Sequence, residues 1–228
     1  MLKNYTPGKL SAFFSQYQSL SFQKGETILR SEDSPQGVYY IKAGFVKLNT
    51  ISVNGRERTF NIFKRGAYFP MMWAIAEIPN SYFYQAQTAV VIQRAPKKEL
   101  LIFLKNNPDV LFELTRRILI GLDGLLNNIE YMFCGNSYHR VIGTLLLSAK
   151  RFGKVEADGE ITIMLPLTHQ DIADIAGISR ETASLAINKL GKKKIITYKK
   201  RLIAIKNIET LEEELGLSKK EIKVPIAS

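Results

Sequence analysis

The chain has 228 residues, of which 46% are hydrophobic and 23% charged, as in an ordinary globular protein. No apolar run approaches the ~20 residues that span a bilayer, and the N-terminal MLKNYTPGKLSAFF lacks the apolar stretch and cleavage site of a signal peptide. We therefore expect a cytoplasmic protein that does not span a membrane.

Metal and disulfide chemistry has little support in this composition. Cys134 is the only cysteine, which excludes an intrachain disulfide and a four-cysteine iron–sulfur cluster. His139 and His169 are the only histidines and lie far apart in the sequence, so no metal site is expected. The net charge of +11 favours a polyanionic partner such as DNA, RNA or an anionic membrane.

Residues from about 20 to 100 are typical of β-structure. Residues 38–51 are rich in β-branched and aromatic side chains. Asn54-Gly55 predicts a hairpin turn, because both residues tolerate positive φ, and residues 56–63 form the return strand. Further strands are expected at 82–88 and 89–94. Many short strands punctuated by Gly and Pro predict a jelly roll or small barrel over residues 1–106.

A single long helix is predicted after Asn107-Pro108-Asp109, because apolar residues recur at spacings of three and four. Several of them are seven apart, which also fits a coiled-coil seam. A helix of about 25 residues is longer than a small β-roll covers, so we favour dimerisation over the alternative of packing on its own domain. We assign residues 107–135 to this helix and to a hinge at Gly135-Asn136. The predicted dimer interface consists of Leu111, Ile118, Leu122, Leu125, Ile129 and Met132.

The segment LTHQDIADIAGISRETASLAINKL, residues 167–190, is typical of a DNA-binding helix-turn-helix. Thr168 and Asp171 can cap the first helix, Gly177 supplies the turn, and Ser179 can cap the second helix. Two short apolar strands around a basic turn follow and predict a β-wing, whose lysines suit phosphates. Residues 168–206 hold nine Lys or Arg against three Asp or Glu. A solvated basic surface is the alternative explanation of that excess. Residues 136–228 form the predicted winged helix-turn-helix domain.

These segments resemble the Crp/Fnr superfamily of transcription regulators. ISRETASLAINKL, preceded by LTHQDIADIAG, is similar to the family's DNA-binding signature. Two segments of this chain, Phe22-x-Lys-Gly-Glu26 and residues 38–48, resemble the β-roll of the family. Asn107-Pro108-Asp109 resembles the start of the family's dimer helix. The resemblance implies an α+β fold with an N-terminal jelly-roll-like β-roll, a long dimerisation helix and a C-terminal winged helix-turn-helix. It implies a non-enzymatic homodimer that binds an inverted repeat in double-stranded DNA, with RNA polymerase as a further partner.

The resemblance also assigns base contacts. In the family an Arg-Glu pair on the second helix reads G·C pairs, and Arg180 and Glu181 match that pair. The alternative is that they only pair with each other on the surface. Leu185 replaces a later Arg of the family and can touch a thymine methyl, so we expect an A·T-richer half-site with one G·C pair. The full set of predicted DNA-binding residues is Thr168, His169, Gln170, Ser179, Arg180, Glu181, Ser184, Leu185, Asn188, Lys199 and Lys200.

The sensing domain departs from the family's cyclic-nucleotide pattern. Met71 lies at or near the position of the Glu that grips the ribose, and no Lys or Arg occurs between Arg65 and Arg94 to neutralise a phosphate. Leu125-Leu126 replaces the Thr-Ser pair that meets the nucleobase. Cyclic AMP is therefore not the expected effector. No cofactor is expected, and a small hydrophobic effector of unknown identity is one interpretation. The other is that the same side chains fill the core of the roll. The candidate pocket consists of Tyr68, Phe69, Met71, Met72, Trp73, Tyr82, Tyr84, Leu125 and Leu126.

Three function classes can be compared. The favoured one is a ligand- or state-responsive transcription regulator, in which a shift at the hinge sets the spacing of the recognition helices. A cupin-like enzyme needs metal ligands, and the predicted roll has no histidine or cysteine. The third class is a constitutively DNA-competent regulator whose degenerate roll only dimerises and binds no effector.

Overall fold

The computed structural model describes residues 8–52, 55, 57–133 and 136–215. It contains two compact units, and the chain passes from the first to the second between Leu119 and Ile120. Among the described residues, no helix combines the length and apolarity that crossing a bilayer requires.

The first unit is built on two four-stranded antiparallel sheets. The strands are β1 (Ser19–Phe22), β2 (Thr27–Leu29), β3 (Val38–Ala43), β4 (Val46–Ile51), β5 (Glu57–Phe63), β6 (Tyr68–Phe69), β7 (Phe83–Ala86) and β8 (Val90–Ala95). Their orders in the two sheets are β1-β8-β3-β6 and β2-β7-β4-β5, which confirms the predicted jelly-roll-like architecture. The helices of this unit are α1 (Lys9–Ser15), α2 (Met71–Ala76), α3 (Lys97–Asn106) and the first part of α4 (Pro108–Phe133).

The run expected over 38–51 is divided at Gly44, which has a φ of 85°. A Cβ at this position would lie 2.2 Å from the carbonyl oxygen of Ala89, so only glycine permits the close approach of the two backbones. β5 begins at Glu57, and Asn54 and Arg56 of the predicted hairpin lie outside the described residues.

Both faces of β3 are buried, which explains its continuous apolar run. Tyr39 and Ile41 belong to the core between the sheets, whereas Val38 and Tyr40 belong to a second core formed with α1, α3 and α4. Leu114 of α4 is 2% exposed in this second core. Each such side chain contributes about 1.5–3 kcal/mol to folding by leaving water.

The second unit contains the rest of α4, followed by a winged helix-turn-helix. Its elements are α5 (Ser137–Phe152), β9 (Gly153–Val155), β10 (Ile161–Ile163), α6 (His169–Ala176), α7 (Arg180–Lys192), β11 (Ile196–Lys199), β12 (Leu202–Ile205) and α8 (Ile208–Glu214). The four strands form one antiparallel sheet in the order β11-β12-β10-β9. The predicted wing is therefore confirmed as β11 and β12. Asn136 accepts hydrogen bonds from the backbone N–H groups of Tyr138 and His139 and so caps α5, whereas Gly135 of the predicted hinge lies outside the described residues.

Candidate nucleic-acid interface

A reciprocal capping box starts α6. The Thr168 hydroxyl accepts a hydrogen bond from the backbone N–H of Asp171 at 3.1 Å, and the Asp171 carboxylate accepts one from the backbone N–H of Thr168 at 2.8 Å. Gly177 ends the helix in the left-handed region, with a φ of 68°. The fully buried Ala173 allows the close crossing predicted for a helix-turn-helix. A cap of this kind stabilises a helix by about 1 kcal/mol.

The second helix, α7, separates an apolar face from a polar face. Ser179 caps it by accepting a hydrogen bond from the backbone N–H of Thr182 at 3.2 Å. Ala183, Ile187 and Leu190 are buried. The side chains on the opposite face are exposed, and they include Arg180, Glu181, Leu185 and Asn188.

No salt bridge joins Arg180 to Glu181 in the part of the chain that the structure describes. The backbone N–H of Glu181 and the hydroxyl of Ser179 hold the pKa of the Glu181 carboxyl below its usual value. Glu181 is therefore an anionic acceptor at the exposed start of α7, and Arg180 presents its guanidinium beside it. Arg180 suits the acceptors of guanine, and Glu181 suits the amino group of cytosine.

His169 connects three elements of this surface. Its Nδ1 lies 3.1 Å from Oγ of Ser184 on α7, and its Nε2 lies 3.3 Å from the hydroxyl of Tyr198 on β11. His169 and Ser184 were among the DNA-binding residues predicted from the sequence, whereas Tyr198 was not. The period-2 pattern of the wing strand does not indicate which side chain meets α6. Gln170 is also engaged, because its amide donates to Asp174 at 2.7 Å.

The two wing lysines selected from the sequence have different surroundings. Lys199 forms a very short ion pair with Glu160, whose side chain is only 9% exposed, and that hydrogen bond raises the pKa of Lys199. Lys200 is exposed at the tip of the wing beside Arg201, which was not among the predicted DNA-binding residues. Both tip residues have positive φ, 49° and 67°, as a tight two-residue hairpin turn requires. The tip therefore projects two cations, whereas Lys199 is held by the sheet.

The residues selected for an effector pocket lie in several places. Phe69 and Tyr84 are 1% and 2% exposed and stack at 4.5 Å between the two sheets, with Phe63 stacked against both. Tyr82 packs edge-on against Phe60. The other selected side chains of the first unit lie elsewhere: Tyr68, Met71 and Trp73 pack against the second core, and Met72 is 45% exposed. Leu125 and Leu126 belong to the second unit and are 42% and 57% exposed.

A small cavity of about 200 Å³ lies outside the sheet sandwich of the first unit. Tyr68 is the one selected effector residue that lines it, and the other lining residues belong to the start of α1 and to the first three turns of α4. The charged groups at this cavity are already paired, since Lys9 bridges Asp109 and Arg117 bridges Glu113. Among the described residues of the first unit, the selected side chains therefore do not surround one cavity.

The residues selected for a dimer seam are exposed along α4. The exposed fractions are 42% for Leu111, 55% for Ile118, 49% for Leu122, 42% for Leu125 and 40% for Ile129. The side chain of Met132 lies outside the described residues. Leu114 of the same helix is buried against its own unit, whereas these five residues are not buried by the rest of the chain that the structure describes.

A β-roll joined through a long helix to a winged helix-turn-helix defines a class of DNA-binding transcription regulators. Comparison with known proteins agrees with this class. The family model described as a cyclic nucleotide-binding domain matches residues 19–107, and the model described as a Crp-like helix-turn-helix domain matches residues 139–214.

The relatives of the chain define the family. It is 30% identical over 200 residues to a global nitrogen regulator of Nostoc sp. (strain PCC 7120), covering 85% of this chain and 87% of the relative. It is 25% identical over 205 residues to a CRP-like cAMP-activated global transcriptional regulator of Mycobacterium tuberculosis, covering 90% and 91%. The structure of a mutant CooA from Carboxydothermus hydrogenoformans superposes with a TM-score of 0.76 at 19% identity, covering 94% of this chain and 97% of that chain. The chain belongs to the Crp/Fnr family, whose members are transcription regulators and not enzymes.

Proposed function

We propose that this chain binds an inverted-repeat operator as a homodimer and regulates transcription in response to an effector other than cyclic AMP. The observation that carries the proposal is the exposed face of α7, where Arg180 and Glu181 form no salt bridge with each other among the described residues and Leu185 is 71% exposed. In this assignment residues 1–106 sense, residues 107–135 dimerise and residues 136–228 bind DNA. RNA polymerase is the further partner, and the cytoplasm is the compartment.

Base reading follows from the chemistry of that face. Arg180 donates two hydrogen bonds to O6 and N7 of one guanine, and Glu181 accepts from N4 of a cytosine. Leu185 contributes an apolar contact to a thymine methyl instead of a second guanine contact. Each half-site then contains one guanine-dependent position in an A·T-richer sequence.

Dimerisation supplies the second half-site. The apolar stripe on α4 has the three- and four-residue spacing that a second copy of the same helix can match. Pairing of two copies places their recognition helices one turn of DNA apart, about 34 Å. The symmetry of such a dimer accounts for an inverted repeat.

The residues of the first unit indicate which kinds of effector this chain can bind. The stretch between Arg65 and Arg94 carries no Lys or Arg that could neutralise a cyclic phosphate, which argues against cyclic AMP. A second candidate function is a constitutively DNA-competent regulator whose roll binds nothing. It is favoured by the stacked rings of Phe63, Phe69 and Tyr84, which occupy the space between the two sheets.

Selection of DNA sites from a random pool, with purified protein and no added ligand, tests the proposal. We expect an inverted repeat with one guanine-dependent position per half-site. Arg180→Lys keeps the charge but loses the two-pronged hydrogen bond, so it should weaken discrimination at that guanine by about tenfold or more. Two independent guanine positions per half-site would contradict the assignment. If wild-type protein enriches a site only with a cell extract, the responsive regulator is supported over the constitutive one.

A further inference from the structure

The hydrogen-bonded row Ser184–His169–Tyr198 links the recognition helix to the wing. Among the described residues, His169 is the one hydrogen-bonding partner of the Ser184 hydroxyl and also of the Tyr198 hydroxyl. Ser184 lies one helical turn after Arg180 and one before Asn188, on the face assigned to DNA. The position of the proton on the His169 imidazole therefore determines how Ser184, on the face assigned to DNA, can form hydrogen bonds.

A neutral imidazole carries one N–H and one free lone pair, so it gives the row only two arrangements. If Nε2 carries the proton, it donates to Tyr198 and the Ser184 hydroxyl donates to Nδ1. If Nδ1 carries the proton, it donates to Ser184 and the Tyr198 hydroxyl donates to Nε2. In the first arrangement Ser184 can only accept from DNA, and in the second its own O–H is free to donate.

The phenol decides between the two arrangements. A phenol is a much stronger acid than an alkyl hydroxyl and so is the better hydrogen-bond donor. Partial burial raises the pKa of Tyr198, so this phenol keeps its proton at neutral pH and can donate it in a hydrogen bond. Donation from Tyr198 to Nε2 places the imidazole proton on Nδ1, which leaves the hydroxyl hydrogen of Ser184 unused.

We propose that Tyr198 is a positioning residue that fixes the tautomer of His169 and thereby makes Ser184 a hydrogen-bond donor to DNA. The base atoms that accept such a bond in the major groove are O6 and N7 of guanine, N7 of adenine and O4 of thymine. The amino group of cytosine offers no acceptor for this hydrogen, so it gains no bond from the Ser184 donor. This inference rests on the proposed DNA-reading function of α7.

The tautomer can be measured without DNA. The full chain has two histidines, and His139→Gln identifies the signals of His169 in ¹⁵N NMR spectra that correlate ring nitrogens with ring protons. We expect wild-type His169 to carry its proton on Nδ1, and Tyr198→Phe to shift it toward Nε2. A wild-type protein protonated at Nε2, or an unchanged tautomer in Tyr198→Phe, would overturn the proposal.

The consequence for specificity is measured by site selection followed by titration of single-base variants of the selected duplex. We expect Ser184→Ala and Tyr198→Phe to lose discrimination against cytosine at the same position, by roughly fivefold, the factor that one neutral hydrogen bond supplies. The double variant should lose no more than either single variant.

Thr197→Val is the matched control, because it removes the neighbouring hydroxyl of β11, which donates to Glu160 at 3.1 Å and not to His169. It should leave the base preference unchanged. A uniform loss of affinity for every duplex in Tyr198→Phe indicates a phosphate contact and contradicts the inference. If wild-type protein selects no site either alone or with a cell extract, the proposed function fails, whereas the NMR measurement still decides the role of Tyr198.

Discussion

At the scale of single residues, the adjacent cations of the wing differ in how freely they can contact a DNA phosphate. Lys199 is held by a carboxylate that is itself mostly buried, and releasing it would leave Glu160 without its cation. Lys200 and Arg201 have no such anchor among the described residues and lie on a two-residue turn. The tip residues can contact a phosphate without losing an ion pair, whereas Lys199 would have to give up its ion pair with Glu160.

This difference predicts unequal effects of matched substitutions. Lys200→Gln should weaken binding to all DNA sequences and reduce the slope of log affinity against log salt by about 1.8, because the proposed dimer loses one phosphate contact in each subunit. Lys199→Gln should keep the slope and instead lower the thermal midpoint of the protein. Fluorescence anisotropy at several salt concentrations and thermal unfolding measure the two effects. Equal loss of slope in both variants would show that Lys199 leaves Glu160 to reach DNA.

At the scale of elements, a glycine of α5 allows the end of α4 to pack closely against this helix. Tyr131 is 8% exposed, and its ring covers Gly143, where a Cβ would lie 2.6 Å from Cγ of the tyrosine. The rigid ring cannot yield as the end of a flexible chain can. The contact fixes how the last turns of α4 pack on the helix that begins the winged domain.

Gly143→Ala should therefore destabilise the second unit by about 1–3 kcal/mol, the usual cost of overpacking. Gly191→Ala is a suitable control, since nothing lies within 4 Å of a Cβ at that helical position. It should be neutral or stabilising by up to about 1 kcal/mol, because alanine has the higher helix propensity. Denaturant unfolding of both variants makes the comparison. Equal stability of the two would contradict the role given to Tyr131.

At the scale of the whole molecule, exposed apolar surface on α4 is the main argument for assembly. Side chains such as Leu122, Leu125 and Ile129 remain 40–49% exposed, so burying the rest of their apolar surface would stabilise an assembly further. A second copy of the helix would cover them with the same residues.

Leu122→Asp together with Ile129→Asp should convert the proposed dimer to a monomer, because pairing would bury four carboxylates in the seam. Operator affinity should fall by at least about 100-fold as one half-site is lost. Ile75→Asp is the control, since Ile75 is similarly exposed at 44% but lies on α2. Analytical ultracentrifugation gives the oligomeric state. A wild-type monomer that still binds an inverted repeat would refute the seam.

The sequence alone was sufficient to predict those secondary-structure elements that are stabilised by contacts between residues close together in the chain. The capping residues Thr168 and Ser179, the turn at Gly177 and the 3.6-residue period of α4 predicted the helix-turn-helix and the long helix, because caps and amphipathic stripes act within a few residues. The family signature extended this to the whole fold, which the relatives confirmed.

Tertiary structure alone decided which side chains meet across elements. The pairing of Lys199 with Glu160, the row from Ser184 through His169 to Tyr198, and the separation of Phe69 from Met71 into different cores depend on contacts between residues far apart in sequence. Alternation along a strand predicts that two faces exist but not which neighbour each face meets. The sequence by itself thus determined what kind of protein this is, and the packing of distant segments decided which of its charges and hydroxyls are free for DNA.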